Sequence, residues 1–227
     1  VGLAVLLCAV NAHEYPTLPA ADRAAWDPTL HSLAGILVGQ IAVGVLGVLA
    51  ITSEFSSGTI LTSVAAAPRR SPLIVAKAAV YGALALVVGE ATSLLSFLAG
   101  QAVMSGRAPT AALGDPHVAG AIALTGLYCA LISLIALGLG VILRHTAAGI
   151  VALVAVLLLI PATVSAMPPS VGDGVGRFFP EAIVEGSLAP VVHQPGALSA
   201  TMGLLCLVAY AGVALVAGTY LFKHRDV

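Results

Sequence analysis

The chain has 227 residues, of which 59% are hydrophobic and 8% charged, with a formal net charge of −1; soluble domains carry roughly 25% charged residues. A mean hydropathy of +1.08 argues against water as the main solvent, and nine scattered Lys and Arg argue against a nucleic-acid-binding surface, which needs a basic stripe. The length suits a single unit of about six spans, since each crossing takes about 20 apolar residues.

The first apolar run, residues 1–10, is too short to cross a bilayer and reads as the tail of a truncated first span over residues 1–11. The alternative is a signal peptide cleaved near Val10-Asn11-Ala12, although a basic n-region is missing. Either reading puts the next segment outside. Residues 11–29 are polar, acidic and proline-bearing, a loop with Tyr15 and Trp26 suited to a membrane interface. The second span is expected over 30–51. The third, over 73–103, is longer than the ~30 Å hydrocarbon core at ~1.5 Å per residue, so the end carrying Lys77 and Tyr81 should project into water. Spans over 117–143, 146–167 and 197–222 follow. The expected fold is an all-α membrane protein, one domain over 1–227: a six-helix transmembrane bundle with its first helix truncated.

Orientation follows from the basic residues, which accumulate on the cytoplasmic side. Arg69, Arg70, Lys77, Arg144, Lys223 and Arg225 fall in one set of connections, and Arg23, Arg107 and Arg177 in the other. The first set, with the C-terminal tail, is therefore expected in the cytoplasm. Glu14, Asp22, Asp27, Asp115, Asp173, Glu181 and Glu185 all fall on the outer side. Cys8, Cys129 and Cys206 each sit in an apolar run without metal or redox spacing. The histidines at 13, 31, 117, 145, 193 and 224 show no ligand spacing either. A phosphate-binding P-loop needs a lysine after glycine, and the only lysines are Lys77 and Lys223. The chain is expected to bind no nucleotide itself.

Between the second and third spans lies TSEFSSGTILTSVAAAPRRSP, residues 52–72. Ser53 can cap a helix whose first turn holds Glu54 at the positive end of the dipole. Phe55, Leu61, Val64 and Ala65 offer a narrow apolar face, and Pro68 stops the helix before Arg69 and Arg70. This predicts a short amphipathic helix over 53–67 at the cytoplasmic surface; the plainer reading is a loop whose arginines enforce topology.

The pattern Glu54, Phe55, Gly58, Thr59, Ile60, then Pro68, Arg69, Arg70 and Lys77, resembles the permeases of type-2 ABC exporters, especially the small six-span ones of high-GC bacteria. The resemblance implies that this stretch is the coupling helix, with Glu54, Phe55, Gly58, Thr59, Ile60, Arg69 and Arg70 transmitting closure of an ATPase subunit. Leu61 departs from the pattern, because such permeases often carry a basic residue there. The family implies two copies of the ATPase, which would hold ATP and magnesium, and a second copy of the permease. It also implies residence in the bacterial cytoplasmic membrane.

Elsewhere, Gly35 and Gly39 form a GxxxG pair in the second span that permits close helix approach, within the chain or in a dimer. By resemblance the second and fifth spans of two protomers line a cavity, which makes Gln40 and Thr163 candidate cavity residues. Pro161 should free a backbone carbonyl in the fifth span and kink it. Glu90 is the one carboxylate deep in a span. It reads as a proton or cation site, or structurally as an interhelical hydrogen bond or a position nearer the outer interface if the third span starts early, and the structural reading is favoured because no intramembrane cation stands out as a partner. Residues 168–196 form a long outer segment in which Pro180 starts a helix ending near Gly186, with Phe178, Phe179, Ile183 and Val184 dipping towards the outer leaflet. By resemblance it is a re-entrant extracytoplasmic element that closes the exit. Two rival readings remain: a membrane anchor or interaction subunit, and a proton-coupled carrier using Glu90.

Overall fold

A computed structural model describes residues 1–59, 70–188 and 196–224. Helix is the regular structure found among them, and no strand occurs. In lipid a backbone without water must satisfy its polar groups within its own segment, and helices do so. In chain order the helices are α1 (Gly2–Glu14), α2 (Ala20–Ala24), α3 (Pro28–Leu33), α4 (Ile36–Ser57), α5 (Arg70–Met104), α6 (Val118–Leu143) and α7 (Thr146–Val154). A π-helical turn, Ala155–Leu159, joins α7 to α8 (Ile160–Ser165); α9 (Pro169–Gly176), α10 (Pro180–Leu188) and α11 (Ala200–His224) complete the chain. Five stretches are long and apolar enough to cross a membrane: Pro28–Ser57, Pro72–Met104, Val118–Leu143, Thr146–Ser165 and Ala200–His224. The protein is a multi-pass helical membrane protein.

α6 is the hub of the bundle. In its most apolar stretch 72% of residues are buried, against 17–33% in the other spans. Those outer spans turn Val80, Leu84, Val87, Val213 and Val216 outward, an apolar surface far too continuous for a soluble monomer. Small residues let the helices approach α6 at backbone distance, the packing device open to helices that gain little from burial in lipid. A methyl group at Gly47 would strike the Ser133 carbonyl, and one at Gly138 would lie 2.7 Å from the Ala214 backbone.

Helix α1 packs one face on α3 and α5 and buries Ala4, Cys8 and Ala12, a four-residue repeat that matches one side of a helix. Its 13 residues reach only about 20 Å at ~1.5 Å each, short of a crossing. The expected loop over 11–29 is instead largely helical: α1 runs to Glu14, a 3-10 turn covers Tyr15–Thr17, and α2 and α3 follow. Asp27 starts α3, its carboxylate accepting from the amides of Thr29 and Leu30, with Pro28 in the first turn. Trp26, expected at the lipid interface, is buried with Cys8, Ala12 and Met104 and donates from Nε1 to the Pro109 carbonyl.

Pro161 acts through the turn before it. The proline has no N–H for the carbonyl four residues earlier, and the helix widens to a π turn over Ala155–Leu159.

Candidate functional site

The stretch singled out in sequence lies at the end of the bundle where α4 stops and α5 begins. Helix α4 does not yield to a new helix at Ser53; it continues to Ser57. The Ser53 hydroxyl donates back to the Leu49 carbonyl and the Ser57 hydroxyl to the Ser53 carbonyl, so these side chains serve the existing helix rather than capping another. Gly58 ends α4 at φ 72°, a left-handed stop that glycine reaches at no steric cost. The break expected at 53 therefore falls at Gly58. Thr59 follows, its hydroxyl 2.8 Å from that of Ser57. Arg70 is the first residue of α5. Ile60, Pro68 and Arg69, with the remainder of the predicted coupling helix, lie outside the described residues.

Glu54 and Phe55 sit on the last turn of α4 and both face the bundle. Lys77, two turns into α5, brings Nζ to 2.7 Å from Glu54 Oε1 and donates also to the Ala50 carbonyl at 3.3 Å. The side chains are 14% and 25% exposed for Lys77 and Glu54, so the pair is shielded from the water that weakens surface ion pairs. Glu54 Oε2 is buried without a hydrogen-bond partner among the described residues.

Phe55 meets Phe222 of α11 edge-on at 6.0 Å, and the Arg144 guanidinium lies 5.4 Å from the centre of one ring and 5.8 Å from the other. Arg144 closes α6 in the left-handed region at φ 54°, with its amide on the Gly140 carbonyl. That conformation costs a non-glycine residue about 1–2 kcal/mol, and two aromatic faces, each worth about 0.5–1 kcal/mol to a cation, offset it. Thr146, opening α7, hydrogen-bonds Thr52 of α4 at 3.0 Å. One turn of α4 thus holds α5, α6, α7 and α11 at a common point. Among the described residues the junction is held by one ion pair, ring contacts with a guanidinium and a hydroxyl–hydroxyl hydrogen bond.

Sequence reasoning saw Lys77 as part of a motif and Arg144 as a topology marker, and took Phe222 only as the end of a span. The pairing of Glu54 with Lys77 spans 23 positions, beyond any helical periodicity. The one signal that hinted at it was an acid and a lysine flanking the same connection.

The other sequence candidates lie apart from this junction. Gly35 faces Ala4 of α1, and Gly39 has its own neighbour Ile36 within contact range among the described residues. The glycines of α4 that meet other helices are Gly44, against Leu153, and Gly47, against Ser133. Gln40 is fully buried; it donates to the Leu37 carbonyl and accepts from the Tyr128 hydroxyl of α6. Thr163 is exposed and donates to the Ile160 carbonyl.

Glu90 is half-buried, and its carboxylate packs against Gly126 of α6, where a methyl group would collide with it. No hydrogen bond to that carboxylate occurs among the described residues; the interhelical bond expected of Glu90 is made one turn later by Ser93, which donates to the Ile122 carbonyl at 2.9 Å.

At the opposite end of the bundle, α10 begins at Pro180 and buries Ile183 and Val184 against α6 and α11. Gly203 of α11 makes room for Ile183. These side chains enter the protein rather than the outer leaflet. Burial, and then the neighbouring Glu181, push the Glu185 carboxyl above its ordinary value.

Neither a family model nor a characterised protein matches the chain.

Proposed function

We propose that the chain is the permease subunit of an ATP-driven exporter of the type-2 ABC class, supplying the membrane path while a separate ATPase subunit supplies hydrolysis. The observation that carries this reading is the junction around Glu54. A pull on the connection between α4 and α5 would act on Glu54, Phe55 and Lys77, and through them on α6 and α11 by way of Arg144 and Phe222. A coupling element requires that arrangement: a short cytoplasmic stretch tied stiffly to several spans, so that displacement at the surface becomes rearrangement in the membrane.

In this reading two permease copies and two ATPase copies assemble in the bacterial cytoplasmic membrane. The basic end of the bundle and the C-terminus face the cytoplasm, and ATP and magnesium are held by the partner. α10, seated between α6 and α11, stands at the exit.

The test is co-expression of the chain with candidate ATP-binding-cassette subunits, followed by co-purification and measurement of ATPase activity in liposomes. The intact pair should co-purify, and Glu54→Ala combined with Phe55→Ala should abolish co-purification or uncouple hydrolysis from transport. Recovery of a functional, ATP-driven complex from that double variant would sink the coupling assignment. ATP-independent transport abolished by Glu90→Gln would favour the carrier reading, and stable association with a complex lacking any ATPase would favour the anchor.

A further inference from the structure

α5 and α11 both lean on α6 and leave a groove between them on the membrane face of the bundle. Its volume is about 460 Å³, and its lining is Ile74, Val75 and Ala78 from α5 with Leu215, Val216, Thr219, Tyr220 and Lys223 from α11. That volume falls within the roughly 300–1,000 Å³ of small-molecule sites. We infer that this groove binds one anionic phospholipid, with an acyl chain between α5 and α11 and the phosphate at Lys223.

The grading of the walls carries the assignment. Leu215, Thr219 and Lys223 follow one another at intervals of four on one face of α11, about 6 Å per step. The groove therefore passes from hydrocarbon, past a Thr219 hydroxyl whose proton is held by the Leu215 carbonyl, to ammonium over roughly 12 Å, the order in which a lipid presents chain and phosphate. Tyr220 is exposed beside Lys223 and stacks on His224 at 4.4 Å, placing an amphipathic ring at headgroup level. Lys223 is exposed and pairs with no acid among the described residues, whereas Lys77 of α5, the other of the chain's two lysines, is already committed to Glu54. Within a bilayer, a groove whose walls include Val75 and Val216, 63% and 70% exposed, is open to acyl chains. The lysine at its mouth selects the headgroup, as basic pockets between spans do.

This inference rests on the membrane fold and not on the exporter reading. The full chain, reconstituted in nanodiscs with equal amounts of phosphatidylglycerol and phosphatidylcholine bearing photoactivatable chains, is crosslinked and its labelled peptides are mapped by mass spectrometry. Phosphatidylglycerol should label the groove about fivefold over phosphatidylcholine, the preference one lysine confers near an anionic headgroup. Lys223→Gln should bring that ratio close to one while phosphatidylcholine labelling persists, and Lys223→Arg should keep it. Ala78→Leu should lower labelling by both lipids. Equal labelling of the unaltered chain, a ratio unchanged in Lys223→Gln, or crosslinks to a second copy of the chain in place of lipid would each overturn the assignment.

Discussion

Replacing Lys77 by methionine keeps the length of the side chain and removes its charge, leaving Glu54 without its ion-pair partner. The carboxylate is then three-quarters shielded with neither oxygen satisfied, because Oε2 already lacks a partner among the described residues and Oε1 loses its 2.7 Å contact. Exposed ion pairs are worth about 0–1 kcal/mol and breaking a fully buried one costs about 3–5 kcal/mol. At 14% and 25% exposure this pair falls between, at about 2 kcal/mol. For a chain of this size that corresponds to a fall in Tm of about 4–8 °C, read by thermal unfolding of the purified protein in detergent. Glu54→Gln added to Lys77→Met removes the stranded charge and should recover at least half of the loss. A fall below about 2 °C for the single variant, or no recovery in the double, would show that the pair does not hold α4 to α5.

The remaining predictions concern packing, buried polarity and pH. Gly47→Ala drives a methyl group into the backbone carbonyl of Ser133, which cannot swing aside, and should cost about 2–3 kcal/mol; Gly120→Ala, with open space around it, should be neutral or stabilise by up to about 1 kcal/mol. Similar unfolding midpoints for the two variants would contradict the close approach of α4 to α6. Tyr128→Phe strands the buried Oε1 of Gln40 and should destabilise by about 1–3 kcal/mol, with Gln40→Leu in the same chain restoring part of it. Glu185, whose carboxyl is raised by burial and by Glu181, keeps its proton in the folded state at a pH where the unfolded chain has lost it. Stability should therefore fall as pH rises from the ordinary carboxylate range, near ~4.3, and level off above the raised value. Glu185→Gln should flatten that slope, and an identical profile in both proteins would rule the group out.

Which parts of the fold were open to sequence reasoning depended on the range of the interaction. The five crossings were legible because hydropathy is a property of a window, and the placement of Pro180 at the start of α10 followed from the ring's fixed φ and missing N–H. Boundaries went astray where two local rules compete. Ser53 is a good cap and an equally good donor to the carbonyl four residues back, and in α4 the second role wins because the helix already extends through it. The segment over 11–29 looked like a loop because its residues are polar, yet Tyr15 and Trp26 fold inward and pack with Cys8 and Ala12 of α1 and Met104 of α5. Of the candidate site, the residue types were visible but not their partners.

The sequence by itself determined that the chain lives in a membrane, where its spans run and which connections carry its positive charge, since each of these is a sum over neighbouring residues. It also singled out the stretch around Glu54. Only the tertiary structure decided what that stretch touches. Glu54 meets Lys77, Phe55 meets Phe222 beneath Arg144, and Gln40 meets Tyr128, 88 positions away. The physical reason is that in lipid every span is apolar alike, so hydrophobicity can say that helices cross but not which faces meet. That choice falls to small residues, which set how near two backbones come, and to a few polar pairs, whose cost if left unmatched admits few arrangements.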